Sequence, residues 1–230
     1  MTNSKHSYRR RPFAPGFMIV FTTALLLAIG LAPASQADTD APNNALIVLG
    51  DSISAGYGID VEKGWVRLLA DKISQAGFDT SVVNASISGN TTADGLTRLP
   101  QLLATHQPAI VVVELGGNDG LRGHPLKKMR DNLQRIVNLS ESAGARVLLL
   151  GIEIPPNYGQ RYTDEFRASF AQIAGTNDLA FVPFILRDIA LNSDLMQKDG
   201  IHPTQAAQRQ LVDIVWPSLQ PMLEATASQN

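Results

Sequence analysis

Two hydrophobic patterns alternate along the chain from residue 45 onward. The first consists of short runs rich in Val, Ile and Leu, with little polar alternation, at 45–49, 80–84, 109–115, 145–152 and 179–184. Unbroken apolar runs of this length are typical of parallel strands that are buried on both faces. We therefore predict five buried strands.

Apolar residues between these runs recur at the spacing of a helix. In residues 65–73 they lie at positions i, i+3, i+4 and i+8, and residues 129–137 and 166–174 repeat the pattern. Such a stripe packs one helix face against a core. We expect Pro100 to bend or divide a further helix, and Pro217 to disturb the end of the last one, because proline lacks the N–H that a helix needs.

The order of these elements indicates the fold class. Strands that alternate with helices imply right-handed βαβ crossovers and a three-layer α/β/α sandwich. Five strands fit the flavodoxin-like order 2-1-3-4-5, and we expect a single domain over residues 38–230. In such folds the functional site lies beyond the carboxyl ends of the strands.

The composition narrows the chemistry. The 230 residues include 19 Lys and Arg, 21 Asp and Glu, and no cysteine, for a formal net charge of −2. A nucleic-acid-binding protein is normally clearly basic, so nucleic acid is not an expected partner. The absence of cysteine from the sequence excludes disulfides, a thiol nucleophile and cysteine zinc sites.

The first 37 residues differ from the rest. Four basic residues and no acid are followed by an apolar run over 17–32 and by small residues at 35 and 37. This is the order of a secretory signal peptide, for which we predict cleavage after Ala37 by the general secretory route. The alternative is an uncleaved anchor, although the run is shorter than the about 20 residues needed to span a bilayer. Cleavage would leave a mature chain with a formal charge of −6.

Polar residues suited to acyl transfer follow four of the predicted elements. Ser52 comes after the first strand, where it could cap a helix or act as a nucleophile. Gly89 follows the second strand and Asn118 the third, either as turn formers or as donors to an oxyanion. Asp199 and His202 lie three residues apart before the last helix, which suits a base that is oriented by a carboxylate.

His202 is the favoured base by elimination among the three histidines after residue 37. His106 lies in a polar segment, and His124 has no acid close in sequence. A zinc site at Asp199 and His202 is disfavoured because no other histidine has ligand spacing. Taken together, these residues supply a nucleophile, a base, an orienting carboxylate and oxyanion donors.

These motifs resemble the four blocks of the SGNH (GDSL) hydrolase family. The matching residues are 50–52, Gly89, 116–119, and Asp199 with His202. Residues 83–89, 113–123 and 156–162 are similar to the family's periplasmic group of thioesterase I, protease I and lysophospholipase, also called arylesterases. The resemblance runs from about residue 45 to 223 and implies a periplasmic or secreted protein.

The resemblance also implies a role for each site residue. Ser52 would attack the acyl carbonyl, His202 would carry the proton, and Asp199 would orient His202. The backbone N–H groups of Ser52 and Gly89 and the side chain of Asn118 would form the oxyanion hole. No metal or cofactor would be required.

A substrate groove is implied by two further segments. The loop that begins at Asp119, Gly120 and Leu121 resembles the family's mobile loop, which closes on the acyl chain. Ile154 and Pro155 match positions that line the acyl groove in relatives. The expected substrates are small acyl esters and thioesters.

Two other functions stay open at this stage. One is a carbohydrate O-acetylesterase, which the same catalytic residues could serve. The other is a non-enzymatic lipid-binding protein, which would not need a complete set of catalytic residues. We expect a monomer with no stable membrane insertion after the signal peptide is removed.

Overall fold

A five-stranded parallel sheet forms the centre of the fold over residues 44–228, the part of the chain that the computed structural model describes. Its order is β2-β1-β3-β4-β5, which confirms the predicted topology. β1 extends one residue beyond its predicted run, and the other four strands lie within theirs and are shorter. The strands are β1 (Ala45–Gly50), β2 (Ser81–Asn84), β3 (Ile110–Glu114), β4 (Arg146–Leu150) and β5 (Ala180–Val182).

Helices connect successive strands and cover both faces of the sheet. Short 3-10 turns at Val61–Lys63, Pro156–Tyr158 and Gln205–Ala207 accompany them. The helices are α1 (Ser52–Ala55), α2 (Trp65–Gln75), α3 (Thr92–His106), α4 (Gly117–Leu121), α5 (Leu126–Ser142), α6 (Gln160–Thr176) and α7 (Gln208–Ala227).

Two separate cores result from the alternation of side chains along the strands. In β1, Leu46 and Val48 pack with α2 and α7, whereas Ile47 and Leu49 pack with α3, α5 and α6. All four side chains are fully buried, because successive residues of a strand point to opposite faces and both faces are covered. The three-layer prediction is confirmed.

Pro100 does not divide its helix, which was one of its two predicted effects, and Pro217 does not end the last helix as predicted. α3 continues through Pro100, and α7 continues through both Pro217 and Pro221 to Ala227. A proline inside a helix costs about 3 kcal/mol. In α3, burial of Leu99 and Leu103 on the two sides of Pro100 offsets this, since each buried leucine contributes about 1.5–3 kcal/mol. Buried residues flank the prolines of α7 in the same way.

The centre of the sheet also determines where a site can form. From β1 the chain first crosses to β2 on one side and then returns to β3 on the other side. At such a switch point a crevice forms beyond the carboxyl ends of the strands. β1 and β3 end side by side, since Gly50 is the register partner of Glu114. The segments that follow these two strands therefore face each other across the crevice.

The predicted signal peptide over residues 1–37 lies outside the described residues, and its cleavage stays a prediction. Within residues 44–228, no helix has the length and apolar character required to cross a bilayer.

Candidate active site

Ser52 is the first residue of α1, on a tight turn at the end of β1. Asp51 caps this turn, since its Oδ1 accepts a hydrogen bond from the Ile53 N–H at 3.1 Å. Glycine is required at position 50, because a Cβ there would lie 2.7 Å from the Cβ of Ser54. The Gly-Asp-Ser order is thus what allows the turn to present the Ser52 hydroxyl above the sheet.

His202 joins the Ser52 hydroxyl to Asp199. Its Nε2 lies 2.9 Å from Ser52 Oγ, and its Nδ1 lies 2.7 Å from Asp199 Oδ2. The other oxygen of Asp199 accepts hydrogen bonds from the N–H groups of Ile201 and His202, at 2.9 and 3.0 Å. A local turn therefore builds the Asp–His pair, and the tertiary fold brings Ser52 to it from 150 residues away.

The Asp199 carboxylate is held in its charged form. Partial burial by itself raises its pKa, but the hydrogen bonds from the His202 ring and from two backbone N–H groups, with the charge of His202, outweigh burial. Together they lower the pKa of Asp199 from 3.8 to about 2. An ionised carboxylate at Nδ1 fixes the histidine tautomer that leaves Nε2 free to accept a proton.

The three residues expected to form the oxyanion hole, Ser52, Gly89 and Asn118, border the same cavity. Gly89 has φ 81°, a backbone conformation that favours glycine. The Asn118 amide nitrogen donates to Asp51 Oδ2 at 3.0 Å and to the Asn90 carbonyl at 3.1 Å. Both hydrogens of the amide are thereby directed, one of them toward the loop that carries Gly89.

The cavity over Ser52 has a volume of about 770 Å³ and mostly apolar walls. This volume is within the about 300–1,000 Å³ of typical ligand sites. Ile154 and Pro155 line it, where the sequence placed an acyl groove. The segment after β5 forms a further wall that sequence reasoning missed, with Phe184, Leu186, Leu191 and Met196.

Comparison with known proteins identifies the family. The sequence profile of the GDSL-like lipase/acylhydrolase family matches residues 48–210. The chain belongs to this family. The resemblance drawn from its motifs is confirmed, and membership makes this chain an acyl hydrolase, as its sequence predicted.

Named relatives of this GDSL hydrolase cover most of its length. Esterase TesA of Pseudomonas aeruginosa is 51% identical over 178 residues, which are 77% of this chain and 89% of that protein. Thioesterase 1/protease 1/lysophospholipase L1 of Escherichia coli K12 is 43% identical over 199 residues, 86% of this chain and 91% of that one. The structure of a psychrotrophic esterase, EstA from Pseudoalteromonas sp., inhibited by monoethylphosphonate, superposes with a TM-score of 0.75 at 45% identity, covering 79% of this chain and 99% of that one.

Of the three residues of the loop after β3 that were expected to bind substrate, one lines the cavity of this GDSL hydrolase. Leu121 lines it, but Asp119 and Gly120, also expected to bind substrate, do not. Asp119 is buried, and its two oxygens accept hydrogen bonds from the N–H and hydroxyl of Thr92 at 2.8 and 2.7 Å. Gly120 packs so closely that a Cβ would lie 2.6 Å from the Phe166 ring. In the structure these two residues pack within the loop and contact Thr92 and Phe166.

His124 lies near a carboxylate, which its sequence neighbourhood did not indicate. Its Nδ1 lies 4.0 Å from Asp119 Oδ1, although no nearby acid was expected. That carboxylate already accepts two short hydrogen bonds from Thr92. Of the three histidines within residues 44–228, His202 is the one that is hydrogen-bonded to a serine hydroxyl.

Tyr57 completes the surroundings of His202. The two ring centroids are 4.5 Å apart with an angle of 38° between the ring planes. Gln197 fixes this arrangement, since its Nε2 donates to the Tyr57 carbonyl at 2.8 Å and to the Pro203 carbonyl at 3.1 Å. The Tyr57 ring therefore packs against the His202 ring and limits its rotation away from Ser52.

Proposed function

We propose that this chain cleaves esters and thioesters of acyl chains through an acyl-enzyme formed on Ser52. The observation that carries the proposal is the continuous hydrogen-bonded path from Ser52 Oγ through His202 to Asp199, at 2.9 and 2.7 Å, at the wall of an apolar cavity. A serine hydroxyl is a weak nucleophile until an adjacent base removes its proton, and this path supplies that base.

The geometry supports a two-stage reaction. His202 Nε2 takes the proton of Ser52 Oγ as Oγ bonds to the acyl carbon, and the carbonyl oxygen becomes an oxyanion. The imidazolium then gives this proton to the departing alkoxide or thiolate, which leaves as an alcohol or thiol. A water deprotonated by the same Nε2 attacks the acyl-enzyme, and Ser52 regains its proton as the carboxylic acid departs.

The oxyanion is stabilised by preorganised donors. The N–H groups of Ser52 and Gly89 border the site, and the Asn118 hydrogen directed at the Asn90 carbonyl lies beside the same loop. Backbone donors are held in place by the fold, whereas the Asn118 hydrogen would have to be shared between the Asn90 carbonyl and the oxyanion. One oxyanion donor contributes about 10²–10³-fold to kcat.

The walls of the cavity favour an acyl chain over a sugar. Ile154, Pro155, Phe184 and Leu186 present hydrocarbon beside the reacting serine. Hydrocarbon walls stabilise a bound alkyl chain by removing its apolar surface from water. Relatives bear the names esterase, arylesterase and thioesterase/lysophospholipase, which agree with acyl substrates that differ in their leaving group. A carbohydrate O-acetylesterase would have to bind its sugar through the minority of polar lining residues, among them Glu153, Arg187 and Asp188.

The decisive experiment replaces Ser52 by alanine. We expect Ser52→Ala to abolish hydrolysis of p-nitrophenyl esters and labelling by an organophosphonate, with an unchanged circular dichroism spectrum, because only one hydroxyl is lost. Ser74→Ala, on the exposed face of α2, is the matched control and should behave as wild type. Full activity in Ser52→Ala would refute the mechanism. Rates across acyl-CoA, lysophospholipid, aryl ester and acetylated sugar substrates would then rank the substrate classes.

Export to the periplasm is the second part of the proposal. The basic, apolar and small-residue order of residues 1–37 supports it. Expression of the full chain in a Gram-negative host should give a periplasmic protein whose N-terminal sequence begins at Asp38. A full-length protein in the membrane fraction would favour the uncleaved anchor instead.

A further inference from the structure

Two buried carboxyl groups lie behind Ser52, and the proposed reaction uses neither of them. Glu114, the last residue of β3, is fully buried. Its Oε2 accepts a hydrogen bond from the Ser54 hydroxyl at 2.7 Å and one from the Asp51 N–H at 3.3 Å. One carboxyl oxygen thus fixes the chain immediately before Ser52 and two residues after it.

Asp51 extends this contact to the oxyanion hole. Its side chain is 2% exposed. Oδ1 accepts from the Ile53 N–H at 3.1 Å, and Oδ2 accepts from the Asn118 amide at 3.0 Å. A displacement of Asp51 would therefore turn the Asn118 amide. Glu114 does not line the cavity, so any effect on the reaction must act through these neighbours.

The pKa values of both carboxyl groups are raised. Burial, and then the charge of Asp51, hold the pKa of Glu114 well above its ordinary value of 4.5. Burial also raises the pKa of Asp51 to about 6, against the hydrogen bonds from Ile53 and Asn118 and the charge of His202. Two adjacent buried carboxyls cannot both be ionised without a large penalty. Of the two, Glu114 is the carboxyl that burial and the neighbouring Asp51 charge most strongly favour in its protonated form.

We propose that Glu114 is a positioning residue of the oxyanion hole, which sets the direction of the Asn118 amide through Asp51 and the turn that carries Ser52. The inference rests on the proposed function, since the oxyanion arises only if Ser52 attacks an acyl carbonyl. It assigns to the Glu114 carboxyl an acceptor role, not a charge and not a contact with substrate.

The test compares an apolar with a conservative replacement. Glu114→Leu removes the acceptor for Ser54 and for the Asp51 N–H, whereas Glu114→Gln keeps a carbonyl oxygen in its place. We expect kcat per active site to fall at least about tenfold in Glu114→Leu, with KM for a p-nitrophenyl ester within about twofold, because a misdirected donor weakens transition-state binding more than substrate binding. Glu114→Gln should restore kcat to within about threefold of wild type. Glu141→Leu, at an exposed position of α5, is the control.

Active sites are counted by labelling with an organophosphonate to completion, so that loss of folded protein is separated from loss of rate. A wild-type kcat per labelled site in Glu114→Leu would overturn the inference and leave Glu114 with a folding role. So would a loss confined to KM, or a Glu114→Gln variant as slow as Glu114→Leu. If Glu114→Leu yields no labelled sites, Ser54→Ala is measured instead, since it removes the donor of the same hydrogen bond. A wild-type kcat per labelled site in Ser54→Ala would also overturn the inference.

Failure of the proposed function would look different in the same assay. Wild-type protein would then take up no label on Ser52, or Ser52→Ala would keep its activity. Both of these results are independent of any change at Glu114.

Discussion

At the scale of single residues, the sharpest consequence concerns Asp199. Replacement by asparagine keeps the size of the side chain, but its amide can donate to His202 Nδ1 and so favour the tautomer with a protonated Nε2, which cannot accept the Ser52 proton. We expect Asp199→Asn to lower kcat/KM for a p-nitrophenyl ester by roughly 10²- to 10⁴-fold, with an unchanged circular dichroism spectrum.

The control for this variant is Asp164→Asn, on the exposed surface of α6, where the carboxylate pairs with Arg167 at 2.9 Å. It should leave the rate unchanged, because an exposed ion pair contributes little. A loss below about threefold in Asp199→Asn would contradict the assigned role of the carboxylate.

The residues around Ser52 also show what a sequence can and cannot reveal at this scale. Ser52, Gly89, Asn118, Asp199 and His202 stand in short motifs whose residue types suit acyl transfer, and the structure brings them together. Other neighbours stand in no such motif. Glu114 meets the Ser54 hydroxyl across 60 positions, and Tyr57 meets His202 across a wider gap still. Contacts of this kind depend on strand register and loop packing, which single-sequence patterns do not encode.

At the scale of elements, the segment to test is the α4 loop, residues 117–124. Two tyrosines from the region after β4 hold it: Tyr158 donates to the Leu121 carbonyl at 2.9 Å, and Tyr162 contacts the carbonyls of Gly120 and His124 at 3.3 Å. Leu121 lines the cavity. The position of one cavity wall therefore depends on these hydroxyl groups.

We expect the double variant Tyr158→Phe, Tyr162→Phe to loosen this loop. Each hydrogen bond contributes about 0.5–1.5 kcal/mol, so KM for a long-chain acyl ester should rise by roughly three- to tenfold. The KM for an acetyl ester should change less, because an acetyl group buries far less apolar surface against the cavity walls than a long acyl chain does. Hydrogen exchange of the loop amides should become faster in parallel.

Thr163→Ala is the matched control, since its hydroxyl bonds only to carbonyls at the start of its own helix, Gly159 and Gln160. Equal rises in KM for long and short esters would show that the loop does not shape the acyl site.

The number and order of the strands were predicted correctly, but the continuation of α3 and α7 through their prolines was not. Five apolar runs gave five strands in the expected order, but burial on both faces was predicted correctly only for the three central strands, β1, β3 and β4. The edge strands β2 and β5 are partly exposed, because each has a neighbouring strand on one side alone. The effect of Pro217 was predicted wrongly, since its tolerance depends on the burial of α7 against the sheet, which is a property of the assembled layers. The same holds for Pro100 in α3.

At the scale of the whole molecule, the buried carboxyls should make stability depend on pH. The pKa of Glu114 is raised in the folded state, so at pH values above 4.5 the unfolded chain releases a proton that the folded chain retains. Folded protein then binds more protons than unfolded protein, and the free energy of unfolding falls as pH rises. Asp51 acts in the same direction between 3.8 and about 6.

Glu114→Gln removes the Glu114 contribution and leaves a side chain of similar size in the core. We expect its free energy of unfolding in urea, relative to that of wild type, to increase between pH 5 and pH 8. The limiting slope is about 1.4 kcal/mol per pH unit for one proton. Asp199 does not disturb the comparison, because its pKa is lowered to about 2 and its contribution is lost only below this range. Parallel curves for the two proteins would mean that Glu114 is ionised in the folded state, whereas Glu141→Gln should run parallel to wild type.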